Sequence, residues 1–479
     1  MEMFRSAPAR GPAVAAQAMV ATSQPSATLA GLEMLRRGGS AADAAIAAAA
    51  VCCVAEPMST GIGGDAFAIV WDGATATGLD AAGPAPRDAE PRPVHGKGPR
   101  AVTVPGSVAG WAALSDRHGR LGLDACLRPA IELAENGVAA QFHCSAYWRG
   151  TPHAPAELGP APGLGEVYRM PELAATLRAI AKHGPDAFYR GPVAAAIAAA
   201  SWLSEADLDA YEPSWVEPMR AGYRGVEVLE LPPPTQGVVA LEALALLAAQ
   251  ERPGWDDQIR AVALALEDGF QRVRDGADVS DLLSPAHLAA RAKDVPTLAR
   301  EPGGGTVYLC AVDADGMAVS FIQSLYDSFG SGVVAPGTGV VLNNRAEGFE
   351  VAGEVTPGRR PYHTLMPGML LERGRLRGPF GIMGGFVQAQ AHVQYVTALV
   401  DEGLDPQAAL DRPRYRIDRD AVLLEEPLWE RADRLRKAGL TVVEEPGRPP
   451  FGGGQAIDIR DGRILGGSDA RKDGFAAGF

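Results

Sequence analysis

The chain has 479 residues, 47% hydrophobic and 21% charged, with a formal net charge of -14. That length exceeds one ordinary hydrophobic core and points to two or three folding units, or to a large α/β enzyme that merges them. The acidic surplus argues against a nucleic-acid partner, and no apolar stretch free of Gly, Pro and charge is long enough to span a membrane.

Residues 1–24 carry Arg5 and Arg10 but no continuous apolar core ahead of a small-residue cleavage site, so no secretory signal is visible. Five cysteines, Cys52, Cys53, Cys126, Cys144 and Cys310, lack metal-ligand spacing, which fits buried thiols in a reducing, cytoplasmic compartment.

Leu29, Leu32, Met34 and Leu35 predict a helix over 27–37, stopped by Gly38-Gly39. A second helix over 41–54 is nearly all small and apolar and is expected to pack inside. The run Ser59-Thr60-Gly61-Ile62-Gly63-Gly64-Asp65 reads as a glycine-rich loop entering a strand over 66–71, with Asp72-Gly73 as its turn. Residues 74–100, rich in Pro, Gly and charge, read as a loop crossing the surface. Helical spacing recurs over 108–117, 123–135, 171–181, 192–200 and 238–249, with a strand over 226–231 ahead of Pro232-Pro233-Pro234. The part before Gly303 is thus expected to be mostly helical.

Character changes at Gly303-Gly304-Gly305. Two alternating strands are predicted over 306–312 and 317–325, turning at Asp313-Ala314-Asp315-Gly316. Later strands are expected over 339–342, 365–371, 422–424 and 440–444, and helices over 387–400 and 429–438.

A threonine hydroxyl is a poor nucleophile until a base takes its proton; at a chain terminus its own α-amine can serve. Scission before Thr306 would create that arrangement, and the preceding glycines give the backbone the freedom an N-to-O acyl shift needs. Taken alone, Gly-Gly-Gly-Thr is more often a flexible linker into a strand. Order and company change this. Gly303 to Tyr308, Asp313 to Ser320, Ser328-Phe329-Gly330-Ser331-Gly332 and Leu342-Asn343-Asn344 resemble, block by block, the small-subunit start of the γ-glutamyltransferase family. Met19 to Pro25, Gly38 to Ala45, Glu56 to Gly64, Val104-Pro105-Gly106-Ser107 and Pro232 to Gly237 resemble its N-terminal signatures, so the likeness spans nearly the whole chain.

The resemblance implies an α+β fold, a four-layer αββα sandwich of the N-terminal-nucleophile hydrolase type. It implies cleavage between Gly305 and Thr306, giving a large subunit of residues 1–305 and a small one of 306–479 that stay intertwined as one catalytic unit, with room for a homodimer of that unit. Thr306 falls on the family's nucleophile, Ser324 on a second hydroxyl that bonds it, and Gly384-Gly385 on the pair whose N–H groups form an oxyanion hole. No cofactor is implied. The eight histidines show no paired spacing such as His-Glu-x-x-His, and no metal site is expected.

The substrate pocket departs from the family. Ala82 stands where γ-glutamyl enzymes carry a carboxylate-binding Arg, Gly348 where they carry an amine-binding Asp, His363-Thr364 replaces a Ser-Ser pair, and Tyr326 replaces an Asn. Arg345, Arg359 or Arg360 could supply another carboxylate contact, and Tyr326, Arg345, Glu347, His363 and Thr364 are the candidate substrate-binding residues. These departures resemble cephalosporin acylases and small-amide hydrolases. The expected function is an autoprocessed amidohydrolase acting on a small-molecule amide through an acyl-enzyme. The alternatives are a true γ-glutamyltransferase with a rebuilt carboxylate site, and an uncleaved, inactive relative acting as a binding protein.

Overall fold

The computed structural model describes residues 10–94, 96–251, 253–294, 296, 305–447 and 451–479. Gly303 and Gly304 therefore lie outside the described residues, while Gly305 and Thr306 lie within them.

Alternation of side chains explains the centre of the molecule. In the strand Gly305–Val312, Val307, Leu309 and Ala311 enter one apolar cluster while Tyr308, Cys310 and Val312 enter another. A strand buried on both faces needs cover on both sides, and two seven-stranded sheets stacked face to face provide it. In chain order their strands are β1 (Ala13–Ala15), β2 (Met19–Thr22), β3 (Asp65–Trp71), β4 (Ala76–Ala81), β5 (Ser214–Val216), β6 (Met219–Tyr223) and β7 (Val226–Glu230). There follow β8 (Gly305–Val312), β9 (Ala318–Tyr326), β10 (Gly368–Glu372), β11 (Arg375–Met383), β12 (Gly453–Arg460), β13 (Arg463–Ser468) and β14 (Phe475–Gly478). One sheet runs β14-β2-β8-β9-β3-β4-β5 and the other β1-β13-β12-β11-β10-β7-β6.

Between the sheets lie Phe67, Ile69, Tyr308, Ile322, Leu229, Met369 and Ile457. Outside the first sheet pack α1 (Pro25–Arg36), α2 (Ala41–Ala55), α3 (Ser107–His118) and α4 (Leu123–Asn136). Outside the second pack α5 (Gly237–Ala248), α6 (Trp255–Arg272) and α7 (Val387–Val400). The result is the expected αββα sandwich. Helix α2 is buried at every residue, its small side chains allowing close approach, and its N-terminus is closed by a capping box between Ser40 and Asp43. No helix among the described residues is long and apolar enough to cross a membrane.

The structure corrects several expectations. Within the supposed surface loop 74–100, β4 pairs with β3 along its whole length and Leu79, Asp80 and Ala81 are buried. Pairing with β3 across the turn at 72–75, and with β5 on the other side, supplies the ladder that Thr77, Gly78 and Asp80 do not advertise. The part before Gly303 contributes seven of the fourteen sheet strands, and it includes the eighteen-residue helix α6, which the sequence reading missed. The helix expected over 429–438 is a 3-10 turn, Glu426–Arg431, followed by a short helix, Ala432–Lys437.

Candidate active site

β8 and β9 form the predicted hairpin, with Gly305 opposite Tyr326 and Val307 opposite Gln323. The register slips by one residue between them, so Thr306 sits at a bulge. Bulges re-aim a side chain beside a site. Here Thr306, 2% exposed, donates from Oγ1 to Ser324 Oγ at 3.2 Å. The Ser324 hydroxyl in turn donates to the carbonyl of Gly305 and accepts the N–H of Tyr326 at 2.7 Å. Thr306, Ser324 and the Gly305 carbonyl therefore form one buried network across the unbroken Gly305-Thr306 bond. Tyr326 has a positive φ of 81°, a conformation costing about 1–2 kcal/mol for a residue with a Cβ; its N–H bond to Ser324 helps hold it.

Next to Ser324 across the sheet lies Asp65 of β3, and cross-strand partners share a face. Gly63 and Gly64 let the chain enter β3, because an added Cβ would stand 2.2 Å from the Val341 and Ser324 carbonyl oxygens respectively. Asp65 Oδ2 receives Arg345 Nε at 3.3 Å and lies 3.2 Å from His363 Nε2, while Oδ1 accepts the N–H of Gly83 at 3.1 Å. The guanidinium carbon of Arg345 lies 4.5 Å from the centre of the Tyr326 ring. Burial raises the Asp65 carboxyl to about 6 against the opposing pull of Arg345. Burial, reinforced by the charges of Arg345 and Arg360, pushes His363 well below its ordinary value and keeps it neutral.

The segment Leu342-Asn343-Asn344 ties this corner together. Asn343 bonds the backbone of Gly63 and Thr103, and Asn344 bonds Asp327, Gly96 and Glu347. Glu347 lies two residues beyond Arg345 in the 3-10 turn Arg345–Val351. Burial, with the charges of Asp327 and Glu350 adding to it, raises its carboxyl to about 7.

Gly384 and Gly385 follow β11 with φ of 132° and 74°, values that favour glycine, and α7 begins at Val387. A Cβ on Gly384 would stand 2.9 Å from Val387 Cγ1 and 3.0 Å from Gly452 Cα. Gln236 fixes this turn: its side-chain nitrogen donates to the carbonyls of Thr364 at 3.0 Å and Gly385 at 3.4 Å. The backbone of His363 pairs with Gln236 and Pro234 on either side. A continuous chain of contacts thus runs from the glycine turn through Gln236, His363 and Asp65 to Ser324 and Thr306. Thr364 is buried beside His363.

The candidate residues Thr306, Ser324, Tyr326, Arg345 and His363 are accordingly brought together, whereas Arg359 and Arg360 are not. Arg359 is 62% exposed, and Arg360 is held by Asp80 and by Asp275 at 2.6 Å. Sequence reading assigned no role to Asp65 or Gln236, although both lie in quoted motifs; for Asp65 a polar residue ending a glycine run was the available signal. A cavity of about 740 Å³, lined by Trp71, Arg117 and Trp215, lies at the opposite end of β3 from Asp65.

The gamma-glutamyltranspeptidase family model matches residues 27–479. The chain is 32% identical to the glutathione hydrolase-like YwrD proenzyme of Bacillus subtilis, over 95% of this chain and 97% of that one. It is 33% identical to the oxamate amidohydrolase proenzyme of Klebsiella pneumoniae, over 94% and 96%. The crystal structure of cephalosporin acylase from Bacillus halodurans superposes with a TM-score of 0.93 at 39% identity, covering 99% of this chain and 98% of that one. With its fold, its buried hydroxyl pair and these likenesses along its whole length, the chain belongs to the gamma-glutamyltranspeptidase family.

Proposed function

We propose that the chain is a proenzyme that cuts its own Gly305-Thr306 bond and then hydrolyses a small-molecule amide. The observation that carries the reading is the network in which Ser324 touches both the Thr306 hydroxyl and the Gly305 carbonyl. In the intact chain, Thr306 Oγ1 attacks the Gly305 carbonyl carbon while the Ser324 O–H stabilises the charge growing on that oxygen. The Thr306 hydroxyl proton passes to the departing nitrogen as the C–N bond breaks, an ester links residue 305 to the Thr306 side chain, and water hydrolyses it. Residues 1–305 and 306–479 then form the two subunits.

In the mature enzyme the freed Thr306 amine takes the hydroxyl proton, and the oxygen adds to the substrate amide carbonyl. The N–H groups of Gly384 and Gly385 hold the oxyanion, the amine departs with the proton, and water activated by the same amine hydrolyses the acyl-enzyme. Tyr326, Arg345, Glu347, His363 and Thr364 form the acyl side of the pocket. The names of the relatives, oxamate amidohydrolase and cephalosporin acylase, support hydrolysis of a small amide. The buried, unpaired state of all five cysteines supports a reducing, cytoplasmic location.

Denaturing electrophoresis with N-terminal sequencing tests the reading: the smaller fragment is expected to begin Thr306-Val307-Tyr308. Thr306→Ala is expected to remain whole and inactive. Scission and amide turnover that both survive this substitution would overturn the reading.

A further inference from the structure

Helix α5 is apolar throughout except for Glu242, which is 0% exposed. A carboxylate taken out of water destabilises a fold unless partners replace its lost hydration. Glu242 Oε1 lies 2.9 Å from His287 Nε2, and the same nitrogen lies 3.3 Å from Asp268 Oδ2 of α6. One imidazole nitrogen carries at most one proton, yet two carboxylate oxygens converge on it. Glu242 Oε2 has no hydrogen-bond partner among the described residues. Arg291 brings one positive charge to this corner: its Nε meets Asp268 Oδ2 at 2.7 Å, and its outer nitrogens engage Glu267 and Asp294. Four carboxylates therefore share one guanidinium and one imidazole, which leaves Glu242 no more than a share of one imidazole proton.

The donor atoms of Glu242, Asp268 and His287 all lie within 4.8 Å of one another. Tetrahedral metal bonds of about 2.0–2.2 Å to nitrogen and oxygen place neighbouring donors roughly 3.3–3.6 Å apart, so small side-chain shifts suffice to close around an ion. The backbone holds the set in place. Ser284 Oγ accepts the His287 N–H at 3.3 Å and starts the short helix Pro285–Arg291, while α5 and α6 pack in one apolar cluster. Arg291 orients Asp268 from behind, as outer partners orient the carboxylates of metal sites. An imidazole beside two carboxylates suits a zinc-class ion better than magnesium or calcium, which take oxygen donors. Spacing along the chain does not announce the set, because its members sit on three separate helices. We propose that Glu242, Asp268 and His287 bind one zinc-class divalent cation, which staples the helix Pro285–Arg291 to α5 and α6. Glu242, binding through both oxygens, completes four donors and gives its Oε2 a partner. The His287 side chain is 24% exposed and provides the ion's way in. The site lies outside the second sheet, whereas Thr306 and Ser324 lie in the first. Its role is structural: it fixes the last described helix before the Gly305-Thr306 bond.

The test uses the untagged full chain, stripped with a chelator and titrated with zinc chloride. Elemental analysis after gel filtration is expected to find one zinc per chain, and the melting temperature to rise with zinc but not with magnesium. Cobalt(II) in place of zinc is expected to give the visible absorption of a four-coordinate nitrogen-and-oxygen site. His287 is partly exposed, so His287→Ala leaves the core packing in place. That variant is expected to weaken zinc by more than about a hundredfold, because losses in the outer shell alone cost about 10–100-fold. Glu242→Gln keeps the shape, removes the charge and is expected to take no zinc. A wild-type chain that takes up no stoichiometric zinc overturns the proposal and leaves a proton shared with Asp268 as what holds Glu242. Equal zinc uptake by wild type and His287→Ala also overturns it, by placing the metal elsewhere.

Discussion

Removing the Ser324 hydroxyl isolates the chemistry of self-cleavage. Ser324 is fully buried and makes three hydrogen bonds: it donates to the Gly305 carbonyl and accepts from Thr306 Oγ1 and the Tyr326 N–H. In Ser324→Ala the attacking oxygen loses its anchor and the carbonyl under attack loses the only side-chain donor described on it. Loss of one preorganised donor to a developing oxyanion costs about 2.7–4 kcal/mol, or roughly 10²–10³ in rate. The stranded Tyr326 N–H adds a ground-state penalty of about 1–3 kcal/mol, which lowers stability rather than the cleavage rate. The expected outcome is a folded precursor that matures roughly 10²–10³ times more slowly, with Ser324→Thr close to wild type because it keeps a hydroxyl at the same carbon. Freshly purified precursor, sampled over time on denaturing gels and checked by thermal melting, gives both quantities. Wild-type maturation in Ser324→Ala would refute the role given to this network.

Gly384→Ala places a Cβ at a φ of 132° and 2.9 Å from Val387; steady-state kinetics of the matured variant are expected to show kcat down about 10²–10³-fold with little change in KM. Gln236→Leu removes the donor that ties the Thr364 and Gly385 carbonyls; at about 1 kcal/mol per bond, kcat is expected to fall about tenfold or more.

How much was legible depended on how local the signal was. The hairpin β8–β9 announces itself through strict alternation around Asp313-Ala314-Asp315-Gly316, a turn the structure bears out with Gly316 at a positive φ. Helix α7 was read to the residue, since its first and last apolar positions coincide with its ends. β4 was missed because it is made by its register with β3 rather than by its own residues. β11 was missed because Gly378, Pro379 and Gly381 look like breakers. They are close approaches instead: a Cβ on Gly381 would stand 2.3 Å from the Tyr308 ring, and one on Gly378 would stand 1.9 Å from the Ile457 carbonyl. The pocket was the hardest part. Asp65 and Arg345 are 280 positions apart, and no spacing rule joins them; only the pairing of β3 with β9 and the course of Asn343-Asn344 do. Arg345 could be named beside Arg359 and Arg360, but placing it against Tyr326, away from the other two, required coordinates.

The strand order is compatible with the proposed scission before Thr306. β8 carries Thr306 at its first turn into the sheet, yet its outer neighbour is β2, from the other side of the bond, and its inner neighbour β9 is backed by β3, again from the other side. The second sheet repeats the arrangement where β7 meets β10 and where β1 meets β13, and β14 closes onto β2. Five strand pairings therefore bridge residues on opposite sides of Gly305-Thr306, and one peptide bond is a small share of what joins them. Cleavage there, as proposed, would release a terminus without releasing a subunit. The terminus that appears is anchored from Val307 onward in the middle of a sheet, so the new amine gains freedom over little more than one residue. A base and nucleophile carried on the same residue need that confinement, because each added degree of freedom would dilute the attack geometry that the bulge establishes.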